Sequence, residues 1–91
     1  MSVKVRIPTA FRRLTGDKDC LELEAISISE AMEKIGESYP DFKNRIFEEN
    51  GKLKKFVLIY MNGEDIRFTE GLETKVPDDG EITILPSYAG G

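Results

Sequence analysis

The chain has 91 residues, of which 40% are hydrophobic, and its 13 basic and 17 acidic side chains give a formal net charge of −4. This length suits one small domain around one core, and the negative charge argues against a nucleic-acid binder held by phosphate contacts. The absence of histidine and the presence of one cysteine exclude a serine–histidine relay, an intrachain disulfide and a zinc site with the usual nitrogen and sulfur ligands.

The remaining candidates for acid–base catalysis are pairs of neighbouring carboxylates. There are three such pairs, Glu48 with Glu49, Glu64 with Asp65, and Asp78 with Asp79. Each pair stands in a polar stretch, so we interpret these residues as solvated turn residues. We therefore predict that the protein is not an enzyme and that it holds no metal.

No run of about 20 apolar residues is present that would span a membrane. The first residues, MSVKVRIPT, carry charges where a signal peptide has an apolar run. We expect a cytoplasmic protein that contacts neither membrane nor nucleic acid and that is a monomer on its own.

Two alternating segments open the chain. In VKVRI, residues 3–7, apolar and basic side chains alternate with the period of a half-buried strand, which Pro8 helps to end. Residues 9–19 are predicted as a loop with Gly16 in a turn. Residues 20–25 alternate again and predict a second strand, which forms a hairpin with the first.

A helical period follows. Ser27 with Glu30 three residues later is a capping-box pattern, and Pro40 marks the far boundary of the helix. The spacing of one helix face is shared by Ile28, Ala31, Met32, Ile35 and Tyr39. We interpret this stripe as the helix face that covers the core. A second, short helical turn is predicted around DFKNRIF, residues 41–47.

The second half of the chain reads as strands. FVLIYMNG, residues 56–63, is apolar at both parities before an Asn-Gly turn, which predicts a strand with neither face fully left to water. Short extended pieces are predicted at DIRF, 65–68, and TKV, 74–76, before an Asp79-Gly80 turn and a last strand, EITIL, at 81–85. One helix across one mixed sheet of four to five strands is an α+β arrangement, the layout of a β-grasp fold.

Several motifs carry a family resemblance over the whole chain. The loop FRRLTG, the strand end YMNG, the closing DDGEITILP and the final Gly90-Gly91 resemble the ubiquitin-like sulfur carriers of the MoaD/ThiS type. IPTAFRRLTG, GKLKKFVLIYMNGEDIRF and ILPSYAGG resemble in particular the CysO-type carriers, which supply sulfur for cysteine biosynthesis. We accordingly expect a β-grasp domain over residues 1–86 and a flexible C-terminal tail over residues 87–91.

The resemblance implies that the Gly91 carboxylate is the reactive group. An ionised carboxylate resists nucleophilic attack, and in the family an E1-like adenylyltransferase of the MoeB/ThiF type uses ATP and Mg²⁺ to convert it into an acyl adenylate. A persulfide donor then supplies sulfur, which gives a thiocarboxylate. The carrier itself binds no cofactor. The sulfur acceptor is either a pyridoxal-phosphate-dependent cysteine synthase, with a trimming metallopeptidase, or the large subunit of molybdopterin synthase.

The tail is predicted to thread into the partner. Gly90 and Gly91 have no side chain to collide with a narrow channel, and Ala89 precedes them. The residues beyond Leu85 span roughly 17 to 20 Å when extended, at about 3.3 Å each. That length is enough to reach a buried site while the globular body stays outside.

A partner-binding surface is predicted on the sheet. If Val57, Ile59 and Met61 face the helix, the side chains of Phe56, Leu58, Tyr60 and Leu85 point away from it, and an apolar patch on an open sheet face marks a protein contact. We include Pro86 in this surface. The alternative is that the loop at 41–55 folds over these residues and makes a second small core.

Two other functions remain open. The protein is either a carrier or a ubiquitin-like modifier whose terminal glycine is joined to lysines of other proteins, since both need the same activation. A noncovalent β-grasp adaptor with an incidental tail is the third hypothesis. We interpret Cys20 as an inert thiol, because the chain has no histidine to activate it.

Overall fold

Five strands and two helices make up the regular structure of residues 2–87, the part of the chain that the computed structural model describes. The strands are β1 (Val3–Arg6), β2 (Cys20–Leu23), β3 (Val57–Met61), β4 (Glu64–Asp65) and β5 (Glu81–Pro86). The helices are α1 (Ile28–Ser38) and α2 (Pro40–Ile46).

The strands form one mixed sheet in the order β2-β1-β5-β3-β4. The two central strands, β1 and β5, run parallel, and every other neighbouring pair is antiparallel. The parallel pair joins the two ends of the chain in the middle of the sheet. This confirms the predicted β-grasp fold, with five strands.

The β1–β2 hairpin has the predicted pairing, with Val3 opposite Leu23 and Arg6 opposite Cys20. Its connection is not the predicted loop, because residues Thr9–Thr15 form a 3-10 helix. The reason is tertiary: Phe11 is buried and its ring meets that of Phe42 edge-on, with the ring centroids 6.3 Å apart. Such edge-to-face pairs are favourable, and the tight helical turn holds Phe11 over the core.

Helix α1 begins as its sequence predicts. The Ser27 hydroxyl accepts a hydrogen bond from the Glu30 backbone N–H at 3.1 Å, and the Glu30 carboxylate accepts one from the Ile26 backbone N–H at 2.8 Å. The reach of Glu30 is one residue longer than in the standard capping box. The predicted stripe is buried at Ile28, Ala31, Met32 and Ile35, whereas Tyr39 lies just past the helix and is half-buried.

The predicted second helical segment is the helix α2. Pro40 occupies its first turn, where proline is tolerated because the N–H it lacks would have no intrahelical partner. Phe42 and Ile46 are buried in the same core as α1. The segment therefore adds to the helical layer on one side of the sheet.

The predicted Asn-Gly turn joins β3 to β4. Asn62 and Gly63 both have positive φ, 50° and 86°, which is the requirement of a two-residue type I′ hairpin loop. The register pairs Met61 with Glu64 directly across this turn.

The segment after this turn differs from the prediction. Of DIRF only Asp65 belongs to a strand, and residues Ile66–Phe68 form a 3-10 turn instead. TKV is not a strand either, since Lys75 makes only an isolated bridge with Ser27. The extended reading fails because Asp65 caps the 3-10 turn, its side chain accepting a hydrogen bond from the Arg67 backbone N–H.

All buried apolar side chains of the described residues form one cluster between the sheet and the two helices. The largest of the almost completely buried side chains include Phe42, Ile28, Ile35, Ile59, Ile82 and Ile84. Within residues 2–87, no helix is long and apolar enough to cross a membrane.

Candidate functional site

The central strand β3 is apolar on both sides, but its two faces are buried to different extents. Val57, Ile59 and Met61 are buried against the helices, while Leu58 and Tyr60 are half-buried. We call the sheet surface that carries Leu58 and Tyr60, away from α1, the open face. The alternation follows from strand geometry, in which successive side chains point to opposite sides.

The neighbouring strand β5 continues this apolar surface. Leu58 pairs with Leu85 and Tyr60 pairs with Thr83, and directly paired residues share one face of an antiparallel ladder. Leu85 remains 40% exposed. The structure thus brings Leu58, Tyr60 and Leu85 together, as the sequence predicts, and their role as a partner contact stays a prediction.

Phe56 stands directly before β3 and continues the line of open-face side chains along this strand. We call Phe56, Leu58 and Tyr60 the apolar row. Its side chain is 41% exposed, and its backbone carbonyl accepts a hydrogen bond from the Ser87 N–H. The Lys54 ammonium lies 5.9 Å from the centroid of the Phe56 ring, a cation–π contact. One end of the apolar row therefore carries a positive charge.

Pro86 lies apart from the other four predicted contact residues. It pairs with Val57, a buried residue of the helix-covered side, and is itself half-buried. The period of two therefore places Pro86 on the other side of β5 from Leu85. Pro86 therefore does not share the open face with the other four residues, although it was predicted with them.

The alternative of a separate covering core from the loop at 41–55 is not what the described residues show. Phe42 and Ile46 belong to the main core, and Leu53 packs against it. Lys54 donates its backbone N–H to the Ile46 carbonyl, which ties the end of this segment to α2. Phe56 and Leu85 stay about two-fifths exposed.

The other end of the open face is polar. Arg6 donates to the Glu81 carboxylate at 2.8 Å, and this hydrogen bond is the main cause that raises the pKa of Arg6. Cys20, opposite Arg6 on β2, is half-buried, and its thiol is free. An exposed ion pair of this kind adds little stability. The open face therefore consists of an apolar half, with Leu58, Tyr60 and Leu85, and a charged half, with Arg6 and Glu81.

One of the acidic residues interpreted as solvated is buried. Asp65 is only 7% exposed, and its carboxylate accepts hydrogen bonds from Arg67 Nη2 at 2.8 Å and from Arg67 Nε at 3.0 Å. These bonds, with the Arg67 backbone N–H, hold the pKa of Asp65 below its usual range. The interpretation of Asp65 as solvated was wrong, because Arg67 provides the hydrogen-bond donors that water would otherwise provide. An aspartate that bonds to the backbone two residues later is a known turn pattern, and this signal was available in the sequence.

Ala89, Gly90 and Gly91 lie outside the described residues, so their predicted roles stay predictions. Within residues 2–87, no cluster of three or more histidine, cysteine, aspartate or glutamate side chains is placed to hold a metal ion.

Comparison with known proteins gives consistent relatives. The model of the ThiS family matches residues 5–91. The sulfur carrier protein CysO of Mycobacterium tuberculosis is 37% identical, with the whole of both chains aligned. A chain of the crystal structure of the Amycolatopsis orientalis BexX/CysO complex superposes with a TM-score of 0.88 at 38% identity, covering 98% of this chain and 99% of that one. The small archaeal modifier protein 1 of Methanosarcina acetivorans superposes with a TM-score of 0.85 at 34% identity, covering 99% and 96%.

Proposed function

This chain belongs to the ThiS family, and on that premise we propose that it is a sulfur carrier protein of the CysO type that serves cysteine biosynthesis. The observation that carries the proposal is the similarity to CysO over the full length of both chains. In this role the protein is a substrate of other enzymes rather than a catalyst, and its place is the cytoplasm, where its activating partner finds ATP.

The proposed chemistry takes place at the Gly91 carboxylate. One carboxylate oxygen attacks the α-phosphate of ATP and pyrophosphate leaves, which gives an acyl adenylate. A sulfur nucleophile then attacks the acyl carbon, and AMP leaves. Sulfide gives the thiocarboxylate directly, whereas a persulfide donor gives an acyl disulfide, whose S–S bond is cleaved by a donor thiol to release the thiocarboxylate and leave the donor as a disulfide. ATP and Mg²⁺ are bound by the E1-like activating enzyme of the MoeB/ThiF type. This chain supplies the carboxylate, the tail of Ala89 and Gly90 that threads into the partner, and the docking surface.

The geometry of β5 supports this division of labour. Leu85 lies on the open face, opposite Leu58, and the chain continues from the same strand to Gly91. The six residues after Leu85 span about 20 Å when they are extended. A partner that contacts the open face can therefore receive the carboxylate in a site about that far away.

The docking surface we propose consists of Phe56, Leu58, Tyr60 and Leu85. Apolar area that is left half-exposed in the free protein becomes buried in a complex, which is favourable. The crystallised complex of the Amycolatopsis orientalis relative with BexX supports the formation of a complex with a protein partner by a chain of this fold.

The experiment that tests the proposal uses the full chain with an E1-like enzyme of the same genome, ATP, Mg²⁺ and sulfide. Intact-mass spectrometry is expected to show the replacement of one oxygen by sulfur. A chain that lacks Gly91 is expected to form neither adenylate nor thiocarboxylate, while its thermal unfolding stays unchanged because the described core lies within residues 3–84. Full activity of the shortened chain would refute the proposal.

The sulfur acceptor needs a second assay. Thiocarboxylated chain is incubated either with O-phosphoserine and a pyridoxal-phosphate-dependent cysteine synthase, or with the molybdopterin precursor and the large subunit of molybdopterin synthase. We expect sulfur transfer in the first reaction. Transfer in the second alone would assign the protein as the small subunit of molybdopterin synthase.

A second candidate function is that of a protein modifier. It is favoured by the similarity to small archaeal modifier protein 1 at 34% identity. Mass spectrometry of the protein isolated from its own cells separates the two functions. A free chain with sulfur at its end supports the carrier, and branched peptides that join Gly91 to lysine support the modifier. A noncovalent adaptor would show neither.

A further inference from the structure

Phe68 is a large apolar side chain that the fold leaves in water. It is 79% exposed, the highest value among the exposed large hydrophobic residues, which also include Ile26, Phe56 and Leu85. Its neighbour in the same 3-10 turn, Ile66, is buried in the core. The turn is therefore anchored by Ile66, and the Phe68 ring adds little to the stability of the isolated protein.

The side chain of Arg67, the residue before Phe68, is held in one orientation. Arg67 donates to the buried Asp65 carboxylate through Nε and Nη2, and its Cζ lies 5.8 Å from the centroid of the Phe68 ring. Among the described residues, the hydrogen bonds of the Arg67 side chain use Nε and Nη2, which leaves the two N–H donors of Nη1 for a carboxylate. A guanidinium fixed in this way binds a second carboxylate with little loss of side-chain freedom.

This pair lies beside the apolar row of the open face. Asp65 pairs with Tyr60 across β3 and β4, so its carboxylate and the guanidinium bound to it sit at the Tyr60 end of the row. The other end of the row carries Lys54 over Phe56. The row thus has a cation stacked on an aromatic ring at each end, in a chain whose net charge is −4.

We propose that Phe68 and Arg67 form a second contact point for the activating enzyme, which offers an apolar side chain to Phe68 and a carboxylate to Arg67. The inference rests on the proposed function, because it extends the docking surface of the same site. Charge complementarity indicates the chemistry of the partner surface. An apolar ridge of the partner that fits the apolar row must carry acidic groups opposite Lys54 and Arg67. Phenylalanine and arginine are also among the residue types enriched in protein–protein interfaces.

The test measures adenylation by ATP–pyrophosphate exchange at several concentrations of the full carrier chain. For Phe68→Ala, we expect the KM for the carrier to rise about tenfold while kcat stays unchanged. A tenfold effect is the size expected when a strong contact residue is removed. Ile26→Ala is the matched control, because Ile26 is 68% exposed but lies in the β2–α1 connection; its KM should equal that of the wild type. Thermal unfolding checks that both variants fold.

Arg67→Gln gives an independent readout. Its KM should rise as well, and the ratio to the wild-type KM should fall as salt is added, because salt screens the contact between charges. A purely structural role of Arg67 would change the unfolding midpoint without this salt dependence. Wild-type KM values for both Phe68→Ala and Arg67→Gln, or a lower kcat at unchanged KM, would overturn the inference while leaving the proposed function intact. A wild-type chain that is not adenylated at all would overturn both.

Discussion

The two faces of the sheet are built by the same strands from similar side chains, yet they are buried to different extents. On the helix-covered face, Ile59 and Ile84 are no more than 1% exposed, whereas on the open face Leu85 is 40% exposed. Adjacent residues of β3 and β5 supply both faces, so hydrophobicity alone does not distinguish them. One face therefore holds the fold together, while the other leaves apolar side chains partly exposed.

Substitution of Ile59 by alanine is expected to have the largest effect on stability. The side chain is 1% exposed in the centre of β3, and truncation leaves a cavity that costs about 2–5 kcal/mol of unfolding free energy. Urea unfolding measures this loss. Below the unfolding transition, the KM for adenylation should equal that of the wild type. A loss below about 1 kcal/mol would contradict the assignment of this face to the core.

Substitution of the adjacent Leu58 by alanine should reverse this pattern. Leu58 is half-buried on the open face, so we expect about 1 kcal/mol of lost stability at most and a KM for the carrier that rises about tenfold. Glu22→Ala on β2 is the control, since Glu22 is exposed at the sheet edge away from β4. Equal KM values for Leu58→Ala and Glu22→Ala would refute the docking surface.

Asp65 is an exception to the difference in burial between the two faces, because it pairs with the open-face residue Tyr60 and is nevertheless buried. Its folded-state pKa is lowered, first by the hydrogen bond from Arg67, so its charge stabilises the fold at pH values above the unfolded-state pKa of about 3.9. That contribution is lost as pH falls from about 4 through the lower folded-state value.

We therefore expect Asp65→Asn to be less stable than the wild type at pH 7, by less than Ile59→Ala because the exposed Arg67 is screened by solvent. The difference between Asp65→Asn and wild type should shrink below about pH 4. Urea unfolding at neutral and acidic pH measures both values. A difference that does not change with pH would show that the Asp65 charge carries no stability.

The parts of the fold that were predictable are those in which local pattern and tertiary environment agree. The stripe from Ile28 to Ile35 and the Ser27 cap define α1 from sequence, and the structure confirms both. The alternation of β3 predicted which side chains face the helices, because a strand has only two faces. The shared surface of Leu58 and Leu85 followed from the same rule once β3 and β5 were paired.

The errors lie where contacts distant in sequence, or a local bond from a side chain to the backbone, override the apolar pattern. Thr9–Thr15 is helical because Phe11 reaches Phe42, a partner 31 residues away. The segment from residue 65 to 68 looked extended, but the Asp65 carboxylate caps a turn there and closes on Arg67. The exposure of Phe68 was not predicted, because a period-two pattern does not indicate where a strand ends.

Periodicity, composition and motifs are properties of neighbouring residues, and they were enough to predict the helices α1 and α2, the strands β1, β2, β3 and β5, the absence of histidine chemistry and the family. The strand order, the parallel pairing of β1 with β5 and the burial of Asp65 beside Arg67 became visible in the folded structure alone. Strand order depends on contacts between residues far apart in the chain, such as Val5 and Ile82, and no local pattern encodes which strands meet. The same long-range packing leaves one face of an apolar strand covered and the other open.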